Sequence, residues 1–305
     1  MKFATTFPMV GTPYDPAFGT AQGVMRVARA AEDAGFHGIG FTDHPAPSHR
    51  WVQGGGHDAY DPFVAMGFCA AATTRIRLVP NVVVLPYRNP FVVAKAGATL
   101  DVLSGGRLTL SVGAGYLKSE FAALGVDHSA RNELMDEAID VLRAVWTQDN
   151  VTFEGAHFSA RGVTALPRPT RCPPIWIGGN SSGARQRAAE RGDGWAPFAT
   201  TPGVAKTART AELRTADDLA AAVDDLQRRC DAVGRDRRHL DITFACHAGG
   251  NPSSDDFNPD EHIAGLHALE AIGVTWVQVG VPGEDIERTI TTYANYGERV
   301  IAKVS

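Results

Sequence analysis

Hydrophobic residues in this chain follow two rhythms. Short runs are apolar nearly throughout, as in residues 77–85. Longer stretches repeat their apolar residues every three or four positions. The first rhythm suits strands buried on both faces, and the second suits helices lying on them. The runs predict strands at residues 2–7, 38–42, 77–85, 108–113, 174–178, 194–197, 241–246 and 275–279. The first helical stretch places Val24, Val27, Ala28 and Ala31 on one face, with Thr20 as its N-cap. Asp61-Pro62 and Asn89-Pro90 open two more helices, each a capping residue followed by proline at the first helical position. "ARNELMDEAIDVLRAVW" is the clearest amphipathic helix, and four further helical stretches complete the set.

Four phrases, among them "AAEDAGFHGIGF" and "ALEAIGVTWVQVG", end a helix on glycine and begin an apolar run, the mark of a helix-to-strand turn. Their uneven spacing argues for βα units with insertions and against a solenoid. Eight strands alternating with eight helices predict an α/β fold, a single (β/α)8 TIM barrel over residues 1–305 with loop insertions at its C-terminal face. An open doubly wound sheet gives the same alternation. That fold should carry G-x-G-x-x-G after its first strand, where this chain has "FPMVGTPYDPAFGT". Three stretches are longer than barrel turns require: "NVTFEGAHFSARGVTALPRPTRCP", "APFATTPGVAKTARTAELRT" and "HAGGNPSSDDFNPDE". Such lengths are expected of lids or binding loops, and the second is expected to be a mobile lid. Pro80 lies inside the third strand. Proline donates nothing to a ladder and a closed barrel has no edge to hold it, so a bulge is expected there.

Composition changes this picture little. The 305 residues are 44% hydrophobic and 21% charged, with a formal net charge of −5, so a nucleic-acid partner is not expected. No apolar run approaches the roughly twenty residues of a membrane span. Cys69, Cys172, Cys230 and Cys246 are widely spaced and form no C-x-x-C pair, which disfavours a disulfide framework or a zinc site. "MKFATTFPMVG" is broken too soon for a signal peptide. A cytoplasmic protein with reduced thiols is expected.

The chemistry belongs at the C-terminal ends of barrel strands. The second strand ends in "GFTDH", placing Asp43 and His44 there. They read either as reacting groups or as a cap and a satisfied rim histidine. Neighbours on a strand point to opposite sides, so this pair is not expected to bind one metal ion. "SVGAGYLKSEF" ends the fourth strand on Gly113, Ala114 and Gly115, small enough for a flat ligand to approach the backbone, or simply a tight turn. "PIWIGGNSSGA" ends the fifth on Gly178 and Gly179, and Asn180 and Ser181 open a helix. That is either an anion site or an N-capping turn.

Together these segments resemble the bacterial luciferase-like monooxygenase superfamily. The run from "LPYRNPFVVAKAGATLDVLSGGRLTLSVGAGYLKSEF" to "DVLRAVW" looks like its longest signature, and "GFTDH", "PPIWIGGNSSGA" and "AAERGDGW" match further blocks in order. The resemblance is close over roughly residues 1–200. It implies a TIM barrel binding a flavin or deazaflavin at the strand C-termini, and a homodimer. Asp43-His44 followed by "QGGGHDAYDPF" resembles the branch using the deazaflavin coenzyme F420. On that resemblance His44 is the acid/base, with Asp43 beside it and touching the cofactor. Asn81 and Val82 back the ring across a cis peptide bond, Ala114 and Gly115 lie close to it, and Gly178, Gly179, Asn180 and Ser181 meet its phosphate. Sugar-phosphate dehydrogenases of that branch carry a glutamate where this chain has Tyr116, which weakens carry-over of their substrate and leaves Tyr116 as a hydrogen-bond donor among the catalytic candidates. An F420-dependent oxidoreductase acting on a small organic substrate is therefore expected. The alternatives are an FMN-dependent luciferase-like monooxygenase and a non-catalytic cofactor-binding protein.

Overall fold

The apolar runs pair edge to edge in a computed structural model that describes residues 1–9, 13–200, 202–208 and 210–304. Eleven strands form: β1 (Lys2–Thr6), β2 (Gly38–Gly40), β3 (Arg77–Leu78), β4 (Val83–Val84), β5 (Leu110–Gly113), β6 (Val151–Glu154), β7 (Ser159–Val163), β8 (Ile175–Gly178), β9 (Gly194–Ala196), β10 (Asp241–Ala245) and β11 (Trp276–Val279). Nine of them make one curled parallel sheet in the order β3-β2-β1-β11-β10-β9-β8-β5-β4. The register joins Ala4 to Gly38, Lys2 to Trp276, Trp176 to Gly194 and Leu110 to Ile175. The two ends of this order, β3 and β4, are consecutive pieces of the single third strand expected from residues 77–85. They are separated by Val79–Val82, where the bulge beside Pro80 was anticipated and where the Asn81–Val82 peptide is cis. The Leu78 N–H donates to Arg107 O and the Thr109 N–H to Leu78 O, both at 3.0 Å. On the other side, the Asn81 N–H donates to Phe41 O at 2.9 Å.

Between the strands come α1 (Ala21–Asp33), α2 (His49–Gln53), α3 (Pro62–Ala72), α4 (Pro90–Leu103), α5 (Lys118–Ala123) and α6 (Arg131–Thr147). They are followed by α7 (Ser182–Arg191), α8 (Pro202–Ala208), α9 (Ala216–Ala232), α10 (Pro259–Ile272) and α11 (Ile286–Tyr296). Thr20 caps α1, Asp61 caps α3 and Asn89 caps α4 as their types predict, each side chain accepting from a first-turn N–H. The aliphatic face of α1 is fully buried against the sheet.

Two expected loops carry structure of their own. The stretch after α6 is an antiparallel hairpin, β6 with β7, and Glu137 of α6 accepts from the N–H groups of Ala156, His157 and Phe158 at its tip. The stretch expected as a mobile lid contains α8 and is pinned near its ends, where Thr200 and Leu213 exchange hydrogen bonds of 2.9 and 2.8 Å. Residues 201 and 209 of that stretch lie outside the description. Inside the sheet, Trp176 and Trp276 meet edge to face at 5.1 Å and pack with Ala4 and Val79. This aromatic floor lies below the strand C-termini. Among the described residues no helix is long and apolar enough to cross a membrane.

Candidate active site

Strand β2 delivers Asp43 and His44 into two different networks. Asp43 is buried. Its Oδ2 accepts the Val84 N–H at 2.8 Å, and the two oxygens take the Arg88 guanidinium in a fork at 2.6 and 2.9 Å. Arg88 reaches Asp61 as well, at 3.1 Å. Such a bidentate pair holds both geometry and charge, so Asp43 ties β2 to the start of the fourth helical unit. Its carboxylate is thereby engaged with protein partners.

His44 points the other way. Its Nδ1 lies 3.2 Å from Oε2 of Glu120, a fully buried carboxylate on α5. Oε2 also accepts the Tyr87 hydroxyl at 2.8 Å, and Oε1 accepts the Ala46 N–H at 3.2 Å. Burial pushes the Glu120 carboxyl up, but His44, Tyr87 and the Ala46 N–H outweigh it and hold the group below its ordinary range. Tyr87 moves upward, through burial first and its hydrogen bond to Glu120 second. The Nδ1 contact is the one hydrogen bond that His44 makes with the described residues, so Nε2 has no hydrogen-bond partner among them.

Aromatic side chains surround this imidazole. Trp51 of α2 tilts over it at 4.5 Å, His57 stands at 5.1 Å, and Tyr116 meets it edge to face at 6.2 Å. Burial lowers the pKa of His57, assisted by the neighbouring His44, and burial raises that of Tyr116. The structure therefore brings the catalytic candidate Tyr116 into ring contact with His44, places His57 there too, and adds Glu120 and Trp51, which sequence reasoning missed.

The Val82 side chain lies over the ends of β5 and β8. A Cβ on Gly113 would sit 2.8 Å from Val82 Cγ2, close enough to force a shift, and one on Gly178 would sit 3.0 Å from Val82 Cγ1, a contact that needs the neighbour to give. Asn81 itself is exposed and donates from Nδ2 to Thr6 Oγ1 at 3.2 Å. Ala114 and Gly115 are half-buried in the loop that leads to α5.

At the end of β8, Gly179 takes φ +109°. Asn180 is fully buried. Its amide nitrogen donates to the carbonyls of Phe198 and Ala211 at 2.8 and 3.0 Å, and its side-chain oxygen accepts the Phe198 N–H at 3.0 Å. Ser181 caps α7 by accepting the Ala184 N–H at 3.1 Å. The Asn180 side chain is thus committed to neighbouring loops, and what this turn offers a ligand is backbone and the exposed start of α7 at Ser181, Ser182 and Gly183.

A cavity of about 570 Å³ opens between the loops after β10 and β11, lined by Cys246, His247, Ser253, Gln278, Glu284 and Arg288. Part of its lining, His247 and Ser253 among it, comes from the long stretch "HAGGNPSSDDFNPDE" expected as a lid or binding loop. A larger hollow of about 780 Å³ lies on the helical surface between α1 and α11, away from the strand C-termini. Among the described residues no three His, Cys, Asp or Glu side chains are grouped to hold a metal ion.

The profile of the luciferase-like monooxygenase family matches residues 1–256, and the chain belongs to that family. An uncharacterized protein of Mycobacterium tuberculosis (strain ATCC 25618 / H37Rv) is 32% identical over 300 residues, covering 91% of this chain and 94% of that protein. An F420-dependent glucose-6-phosphate dehydrogenase of Beutenbergia cavernae is 31% identical, covering 88% of this chain and 82% of that one. In fold, the chain is similar to the crystal structure of the monooxygenase RslO1 from Streptomyces bottropensis, with a TM-score of 0.80 at 22% identity and full coverage of both chains.

Proposed function

We propose that the protein is an F420-dependent oxidoreductase that moves a hydride between the deazaflavin and a small organic substrate. The observation that carries this reading is His44, a rim imidazole anchored through Nδ1 with no hydrogen-bond partner for Nε2 among the described residues, close to the strand that seats Val82. The kinship with F420-dependent glucose-6-phosphate dehydrogenase supports the choice of coenzyme. The residues present suit a flat ring. Val82 lies on the ends of β5 and β8, where Gly113 and Gly178 carry no side chain, and Asn81, Ala114 and Gly115 are its neighbours along the rim. Gly178, Gly179, Asn180 and Ser181 are assigned to the phosphate, through backbone and helix start.

When bound, the deazaflavin supplies the carbon that accepts or returns the hydride. His44 handles the accompanying proton at Nε2, a task that suits an imidazole near neutral pH. Tyr116, with its raised pKa, stays protonated and donates a hydrogen bond from the opposite side. Asp43 holds the rim in place through Arg88 and borders the cofactor.

We further infer that the curled sheet closes as a (β/α)8 barrel across Leu78, which bonds to the residues flanking Leu108, and that residues 1–305 form one domain with its insertions at the C-terminal face. The protein is proposed to be cytoplasmic and homodimeric. The outward faces of α3 and α4 support a second copy, since Val64, Phe68, Val92, Val102 and Leu103 are exposed on two adjoining helices. Sedimentation at micromolar concentration should give twice the chain mass.

A second reading, an FMN-dependent luciferase-like monooxygenase, is supported by the match to the luciferase-like monooxygenase family. Titrating the purified protein with F420 and with FMN, and following fluorescence, separates the two. Saturable binding of F420 without FMN supports the proposal, the reverse supports the second reading, and binding of neither removes both.

A further inference from the structure

We infer that Glu120 is the positioning residue for His44, its buried carboxylate fixing the neutral imidazole as the Nδ1–H tautomer and leaving Nε2 bare for the ligand. This rests on the proposed role of His44 and adds a residue and a protonation state to it. Three groups converge on the two oxygens of Glu120. The Ala46 N–H can only donate, and it takes Oε1 at 3.2 Å. Oε2 faces both the Tyr87 hydroxyl at 2.8 Å and His44 Nδ1 at 3.2 Å. A carboxylate satisfies all three contacts as acceptor, provided that Nδ1 carries the hydrogen. A carboxylic acid has one proton for two neighbours at Oε2 and serves them less well, and the depressed pKa of Glu120 agrees with the ionised form.

The other groups facing His44 leave that assignment to Glu120. Trp51 from α2 tilts over the ring, and His57 from the following loop and Tyr116 from the loop after β5 each meet it edge to face. None of them hydrogen-bonds it. The nearby charges of Asp43 and Arg88 are spent on each other. One buried acceptor therefore decides which nitrogen is protonated. A neutral ring held this way accepts a proton at Nε2 and has none to give there. That form suits taking a proton from a hydroxyl-bearing substrate, with the hydride leaving to the coenzyme and the hydroxyl proton passing to Nε2.

The tautomer can be read without a substrate. Two-bond proton–nitrogen correlation on uniformly ¹⁵N-labelled protein at pH about 8, above the ordinary imidazole value of about 6.5, reports both ring nitrogens, and His44→Gln identifies the His44 signals by their loss. The expected spectrum has a protonated Nδ1 and a bare Nε2. In Glu120→Gln, whose amide can donate as well as accept, the Nδ1–H form should fall from dominant to minor, while Tyr87→Phe keeps it. A dominant Nε2–H form in the unmodified protein overturns the inference and needs no variant to fold. An unchanged tautomer in a folded Glu120→Gln overturns it equally. The two levels separate cleanly. A dominant Nε2–H form alongside an inactive His44→Ala removes Glu120's role and keeps that of His44, while undiminished turnover in His44→Ala removes the catalytic reading and leaves the tautomer standing.

Discussion

The rims at the ends of β2 and β8 are built on opposite plans. After β2 the working surface is made of side chains. Asp43 grips Arg88, His44 leans on Glu120, and both networks run into the short segment from Val84 to Arg88, which supplies a backbone N–H, a phenol and a guanidinium. After β8 the side chains are committed to the protein itself instead. Asn180 is consumed by Phe198 and Ala211, Ser181 by the helix it caps, and the surface left over is backbone. A rim of side chains is sensitive to residue identity and protonation. A rim of backbone is sensitive to conformation, and tolerates identity wherever the shape survives.

The contrast fixes what substitutions should do. His44→Ala is expected to have the largest effect, lowering turnover by about 10²–10⁴-fold while leaving F420 affinity within about tenfold. Steady-state kinetics beside a fluorescence titration measure both, and a parallel loss of affinity would show His44 binding more than reacting. Arg88→Met strands the buried Asp43 charge and should cost about 3 kcal/mol of stability, read from urea unfolding. Asn180→Ala should cost about 1–3 kcal/mol, since it leaves several loop groups unpaired. Gly179→Val, by contrast, forces a β-branched residue to φ +109° and should weaken F420 binding by about tenfold with the circular dichroism spectrum unchanged. If Asn180→Ala abolished F420 binding in a protein that still folded, the β8 rim would belong with the side-chain kind. The smallest effect is in acid. The lowered Glu120 carboxyl contributes stability that is fully present above its ordinary value of 4.5 and is lost as pH falls through the lower folded value. The stability gap between the unmodified protein and Glu120→Gln should therefore narrow below pH 4.5.

Local signals carried most of the architecture. Seven of the eight strand positions rest on continuous apolar runs that nothing else explains. The eighth, residues 77–85, announced its own interruption through Pro80. Capping pairs such as Asp61-Pro62 state a helix start in two residues. The hairpin of β6 and β7 was hidden because its residues are mostly polar or half-exposed, with an irregular register between Val151 and Phe153. Asp43 and His44 were visible as titratable groups at a strand end. Their partners were not, because Glu120 lies 76 positions from His44 and looks, in "YLKSEF", like any solvated helical glutamate. Only the tertiary fold buries it. Trp51 was obscure for a similar reason, sitting in a five-residue helix within a glycine-rich loop.

The tryptophan pair inside the sheet has a consequence for traffic. Trp176 and Trp276 pack with Ala4 and Val79 inside the sheet beneath the rim, so the floor under the strand ends is stopped with side chains, and the rim residues are reached from the loop side.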